Sequence, residues 1–425
     1  MRTLLALILT VLLLPTVSLA AEEAPYPFTD PYKATVFGTP AQFRYNFKAP
    51  VRPEVRAIRI DGRQVPEVFS YSRDMLFTTA LQKGPAPLIF VIAGTGAEHN
   101  SDKMAFLTQV FYEAGFHVVA LSSPTHMNFV VSASLHGVPG YVPYDVADLN
   151  RIMVWIRQEL EEECRITGFA LAGYSLGGLH AAFLASMDAT QHDFDFKKVL
   201  MINPPVSLIR TVTRLDSWLT GENLGRVTVH QQIQDYIDRF SEYYLHADVT
   251  DLDDDFLYKM ITDIGLDDRD LRTLIGAAFR ISSASMIFTS DVCLQADYLV
   301  PPDHYPLKSS SPLLPYARQA FNISFEHYLD EYLLPFLQYM DPSIDRDTVV
   351  RQSSLEAIRP FLETTDKVMV VGNRDDVILD QGDVRFLEEV FGERAQLFDH
   401  GGHCGNMMHP AFVRAVIEKL GKVQP

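Results

Sequence analysis

Two hydrophobic rhythms alternate through the first half of the chain. Residues 88–93 and 116–122 are short, unbroken apolar runs, the pattern of strands buried on both faces. Residues 104–114 and 146–161 instead space their apolar side chains three and four apart, as helices that bury one stripe do. Residues 169–172 and 198–202 add two more apolar strands. Ahead of them, 55–60, 67–73 and 75–81, separated by breaks such as Asp61-Gly62, predict an antiparallel start to the sheet. Strands alternating with helices of this length predict a mostly parallel sheet with helices on both faces.

The alternation stops near residue 206. From there to 360 the spacing is mainly helical, with tyrosine and phenylalanine interspersed, as in 229–244 and 325–339. Sheet grammar resumes with a strand at 367–371, a helix at 383–391, a strand at 395–398 and a closing helix at 410–420. The sequence therefore predicts an α/β domain in two parts, 51–205 and 361–425, interrupted by a helical cap at 206–360 that is far too long to be a simple loop. Residues 21–50, rich in proline and aromatics, are expected to form an irregular leader. Residues 1–20 differ from all the rest. Arg2 precedes an apolar run over 4–14, and Ser18-Leu19-Ala20 offers small residues at a cleavage point, so a signal peptide cut after Ala20 is expected, with an uncleaved anchor as the alternative. The mature protein is then periplasmic or secreted.

Composition narrows the partners. Hydrophobic residues make up 47% of the 425 and charged residues 21%, which describes a core-forming chain. A net charge of −18 disfavours nucleic acid and anionic membranes, both of which need cationic surfaces to replace counterions. Cys164, Cys293 and Cys404 allow at most one disulfide, which argues against a small disulfide-stapled fold. Asp251, Asp253 and Asp255 begin like a calcium loop, but Phe256 and Thr262 stand where that loop needs glycine and glutamate, so a solvated helix start is the better reading.

The chemistry centres on Gly173-Tyr174-Ser175-Leu176-Gly177-Gly178, where an apolar strand runs into a helix pattern. A serine at so sharp a turn has its hydroxyl pushed clear of the sheet, so Ser175 is the candidate nucleophile. A serine hydroxyl is weak at neutral pH and needs a base, itself oriented by an acid. His400 and His403 lie just after the last strand, and His403 is preferred because flanking glycines free its loop to reach the serine. The acid belongs at the end of the preceding strand, where Gly372-Asn373-Arg374-Asp375-Asp376 stands; Asp375 is favoured and Asp376 is the alternative. Two backbone amides must meet the oxyanion, and those of Leu176 and Thr95 are the candidates. His99 and His126 follow strands at the same edge and are candidate substrate contacts.

In these motifs the chain resembles the α/β-hydrolase superfamily: Ala-Gly-Thr-Gly at 93–96, the Ser175 string, Gly-Asn-Arg-Asp at 372–375 and Gly-Gly-His at 401–403. The resemblance implies an eight-stranded, mostly parallel sheet, the order serine, acid, histidine along the chain, and a helical cap after the sixth strand. Two strings depart from it. Many relatives have His-Gly where this chain has Ala93-Gly94, and an Asp-x-Arg-Gly-like string where it has Ser123-Pro124-Thr125-His126. The implied activity is that of a serine hydrolase acting on a carboxylic ester, with a peptidase or aminopeptidase, or a non-catalytic binding protein on the same fold, as alternatives. A small-molecule or peptide acyl substrate is expected, with no metal or organic cofactor.

Overall fold

The computed structural model describes residues 24–220, 231 and 265–421. The expected signal peptide, all but Gln231 of the helix expected at 229–244, and the acidic stretch 251–262 lie outside the described residues.

Eight strands form one sheet: β1 (Glu54–Ile58), β2 (Met75–Ala80), β3 (Ala86–Ile92), β4 (His117–Leu121), β5 (Ile166–Tyr174), β6 (Lys198–Ile202), β7 (Val368–Asn373) and β8 (Ala395–Phe398). Their spatial order is β1-β2-β4-β3-β5-β6-β7-β8. β2 pairs antiparallel with β1 and β4, and every later pairing is parallel. This is the sheet that the resemblance implies. The strand period splits each strand between two cores. Leu88, Phe90 and Ile92 of β3 join Val119, Leu171 and Met201 on one face, while Ile89, Val91 and Ala93 join Val118, Ala172 and Leu200 on the other. All of these side chains are fully buried. Each fully buried leucine, isoleucine, valine or phenylalanine contributes roughly 1.5–3 kcal/mol, so the central strands are the rigid base of the molecule.

Helix α1 (Pro31–Phe37) precedes the sheet, with the Asp30 carboxylate accepting from Lys33 N–H as its N-cap. Then come α2 (Asp102–Glu113), α3 (Val142–Glu161) and α4 (Leu176–Gln191). Between β6 and β7 the chain is helical among the described residues, apart from an isolated bridge of Ser207 with Ser354. The elements there that matter most for the site are α5 (Leu208–Ser217) and α6 (Asp268–Leu294). Asp216 of α5 takes the buried Arg280 guanidinium of α6 and the N–H of Phe325, fastening α5, α6 and the helical stretch beginning at Phe325. α7 (Gln381–Phe391) and α8 (Pro410–Leu420) close the fold. Among the described residues no helix is long and apolar enough to cross a membrane, and all three cysteines are free thiols.

Two expectations are corrected. Glu67–Ser72 is 3-10 structure with a kink at Phe69 rather than a strand, and it buries Val68, Phe69 and Ser72 although the composition is strand-like. The leader is not irregular throughout, since it contains α1 and a short 3-10 turn at Ala41–Phe43.

Candidate active site

β5 delivers the chain to Ser175, and α4 carries it away within one residue. Ser175 has φ 52° and ψ −126°, a left-sided conformation that a side chain adopts at a cost on the order of 1–3 kcal/mol. Its neighbours must be glycine for lack of space. A Cβ on Gly173 would sit 2.1 Å from the Gly177 carbonyl oxygen, and one on Gly177 would sit 2.2 Å from that of Ile92. The Ser175 N–H is spent on Ile202 O at 2.8 Å, so it cannot face the substrate. Leu176 N–H, the first amide of α4, has no intrahelical partner by its position.

His403 Nε2 lies 2.9 Å from Ser175 Oγ, and the same imidazole sets Nδ1 3.0 Å from Asp376 Oδ2 and 3.1 Å from Oδ1. The acid that meets the histidine is therefore Asp376 and not Asp375. The two carboxylates leave the turn after β7 in different directions. Asp376 is buried, accepting from Asn203 Nδ2 at 2.9 Å and Ile378 N–H at 3.1 Å. Asp375 accepts from the backbone N–H groups of Gly401 at 3.2 Å and Gly402 at 2.9 Å, so it holds the histidine loop without touching the imidazole. Burial of the His403 ring works to lower its pKa. The Asp376 charge and hydrogen bond, with the Cys404 thiol adding to them, reverse this and raise it well above the ordinary imidazole value. Burial is also the main cause that raises Asp375.

The histidine loop is anchored from several sides. Asn373 and Asn406 exchange side-chain amide hydrogen bonds at 2.9 and 2.7 Å, and Asn373 also donates to Gly402 O at 2.8 Å. From α1, Thr35 Oγ accepts from His403 N–H at 2.9 Å while donating to Pro31 O at 2.6 Å. Thr39 Oγ donates to Gly405 O at 2.7 Å, and Tyr45 N–H donates to Met408 O at 2.8 Å. Of these anchors only Asn373 lies in a motif of the sequence, the Gly-Asn-Arg-Asp string at 372–375. Thr35 carried no signal there, because it sits in a segment expected to be irregular and meets the histidine loop only in three dimensions.

Thr95 lines the same cavity as Ser175 and Leu176. Its loop is held by Gly96 N–H donating to Thr125 Oγ at 2.8 Å and Ser123 N–H donating to Ala97 O at 3.0 Å. The Ser-Pro-Thr string that departs from the family pattern thus props this loop. The candidate substrate histidines do not reach the cavity. His99 is buried, with Nδ1 2.7 Å from Thr78 Oγ and its N–H donating to Ser122 Oγ, and His126 N-caps the helix Met127–Ser132 through Asn128 N–H. Burial lowers the pKa of both. His400, the other candidate base, is half exposed and lies beside Asp375 at 3.6 Å.

The cavity measures about 270 Å³. Ser175, His403 and Thr95 form one part of its wall, and apolar side chains of α5 and α6, among them Leu208, Val212, Leu215, Ile275 and Phe279, form another. Among the described residues no cluster of three or more histidine, cysteine or acidic side chains is arranged to hold a metal ion.

No protein-family model matches the sequence, and no curated protein sequence matches it. Solved structures do. The chain is similar to a membrane phospholipase A reported as a bacterial virulence factor, with 15% identity, 87% of this chain and 86% of that one covered, and a TM-score of 0.43. It is also similar to an esterase from the fungus Rhizomucor miehei (14%, 88% and 85%, 0.42) and to a thioesterase domain from the curacin biosynthetic pathway (11%, 87% and 100%, 0.40). The fold assignment rests on the chain's own strand order and on the turn that displays Ser175.

Proposed function

We propose that this chain, an α/β-hydrolase by fold, is an exported serine hydrolase that cleaves a carboxylic ester through an acyl-enzyme intermediate. The observation that carries the proposal is the continuous contact from Asp376 through both nitrogens of His403 to Ser175 Oγ, at 3.0 and 2.9 Å. In this reading Ser175 Oγ bonds to the acyl carbon as His403 Nε2 takes its proton. Asp376 holds the ring with Nδ1–H directed at its carboxylate and stabilises the imidazolium. The N–H groups of Leu176 and Thr95 receive the oxyanion. Collapse expels the alcohol, which leaves with the proton from Nε2. Water then attacks the acyl-serine with His403 again as base, releasing the acid and restoring Ser175. The apolar wall from α5 and α6 supports an acyl chain as the group bound beside the serine.

Incubation with a fluorophosphonate probe tests the proposal. The wild type should be labelled and the Ser175→Ala variant should not, with hydrolysis of simple esters lost in parallel. A folded wild type that neither labels nor turns over any ester would overturn it. Export belongs to the same proposal, and the N-terminal residue of protein recovered outside the cytoplasm should be Ala21 if residues 1–20 are cleaved as the sequence suggests.

A further inference from the structure

The cavity has a second chemical character besides its apolar wall. Lys103, near the start of α2, lines it together with Gly94, Thr95, Tyr174 and Ser175. Its Nζ lies 5.9 Å from the centre of the Tyr174 ring, a cation over an aromatic face. That ring in turn packs on the turn that carries Thr95, since a Cβ on Gly94 would come within 2.7 Å of it. Among the described residues Lys103 makes no ion pair, although the chain has 54 acidic residues against 36 lysines and arginines. Of the described residues Lys103 is the one lysine or arginine on the cavity wall, and on the helices that supply the apolar wall Arg280 of α6 is held by Asp216 and Arg210 of α5 by Asp383 and Glu356. In so acidic a protein, an ammonium left unpaired on the wall of the site is a local exception to a field that repels anions.

We propose that Lys103 binds an anionic group on the alcohol portion of the ester, so that the preferred substrate joins an apolar acyl chain to a negatively charged alcohol. The inference rests on the ester-hydrolase reading above. The acyl chain lies along Leu208, Val212, Leu215, Ile275 and Phe279, and the alcohol portion lies on the side of the Thr95 turn, with its carboxylate or phosphate on Lys103 Nζ. The lysine forms no bond to the reacting atoms. It is a specificity determinant, acting by charge and hydrogen bonding, and it gives the site a reason to accept anions that the whole-protein charge disfavours.

Two esters of one shape separate the charge from everything else: 4-(hexanoyloxy)benzoate, which is anionic, and 4-(hexanoyloxy)benzamide, which is neutral. The quantity to measure is the ratio of their kcat/KM values, compared between wild type and variants so that the intrinsic reactivities of the two esters cancel. Lys103→Met should lower the anionic-to-neutral ratio roughly tenfold, the effect of losing one hydrogen bond to a charged group, mostly through KM. Lys103→Glu should lower it further, and Lys103→Arg should keep it near the wild-type value, which also shows that the position tolerates exchange. A ratio unchanged in Lys103→Met and Lys103→Glu would overturn the inference while leaving the hydrolase reading in place. Loss of both esters in the wild type, together with no fluorophosphonate labelling, would overturn both.

Discussion

The serine turn and the histidine loop meet at a 2.9 Å hydrogen bond, yet they are held in place by different means. At the serine turn the constraint is local and made of backbone: Gly173 and Gly177 are in contact, and the Ser175 N–H is tied to β6. The histidine loop is held by side chains from distant segments, namely Thr35 and Thr39 from the N-terminal region, Asn373 and Asp375 after β7, and Asn406 within the loop itself. A local constraint writes itself into a short string of residues. A distributed one is only partly written there: Asn373 and Asp375 lie in the Gly-Asn-Arg-Asp string, but their anchoring role, and the parts of Thr35, Thr39 and Asn406, become visible only once the chain is folded.

This contrast yields a series of expected effects. Asp376→Asn should be the most severe for activity, lowering kcat by about 10^4-fold with the fold retained, because the imidazole loses the acceptor that sets its tautomer. The same variant gives a pH signature. His403 works as a base only when neutral, and Asp376 raises its pKa, so the low-pH limb of the wild-type kcat/KM profile should lie above the ordinary imidazole range. Without the carboxylate charge the residual activity should show that limb at lower pH. A limb that stays in place would mean that Asp376 does not govern the base. Gly177→Ala should act through structure instead, costing about 3 kcal/mol in a thermal or denaturant melt, since its Cβ has nowhere to go beside the Ile92 carbonyl.

The histidine-loop anchors should each matter less, because several share the task. Asp375→Asn keeps an oxygen for one of the two glycine amides and should reduce kcat roughly tenfold with little change in KM, a shift of about 1.4 kcal/mol in the barrier. If Asp375→Asn proved as damaging as Asp376→Asn, the division of roles between the two aspartates would be wrong. Thr35→Val should have the smallest effect, a few-fold loss in kcat, with Thr35→Ser restoring it because the serine hydroxyl can still accept from His403 N–H. Steady-state kinetics and fluorophosphonate labelling rates on the same preparations distinguish these outcomes.

The central strands were readable because they are nearly unbroken apolar runs, as in β3 and β6. Residues 198–202 and 395–398 coincide with β6 and β8, and 88–93 overlaps β3 within two residues. The pattern at 67–73 misled because Val68, Phe69 and Tyr71 are strand-forming residues by composition, while the backbone over 67–72 takes 3-10 structure with a kink at Phe69. Ser175 was readable from its glycines, and His403 from its place after the last strand and the glycines that flank it. The choice between Asp375 and Asp376 was not, for the two are adjacent, equally acidic and in the same turn. What separates them is Asn203, whose amide reaches Asp376 from 173 residues earlier in the chain, and the Gly401 and Gly402 amides, which claim Asp375. His99 misled for a similar reason: it follows β3 at the correct edge, but its ring turns inward to Thr78.

The hydrogen bond from Thr39 to Gly405 spans 366 residues of sequence, and the one from His403 to Thr35 spans 368. Activity should therefore mature late in refolding. The sheet can form and bury its tryptophan-free central strands while the two ends of the chain are still apart, and only their meeting seats the imidazole on the serine. Closing so long a loop is slow compared with forming local structure, so recovery of the proposed hydrolytic turnover should lag behind recovery of the far-ultraviolet signal. On mild heating the order should reverse, with turnover fading while the sheet persists, because a loop held by a few peripheral hydrogen bonds opens at a lower free energy than buried strands do.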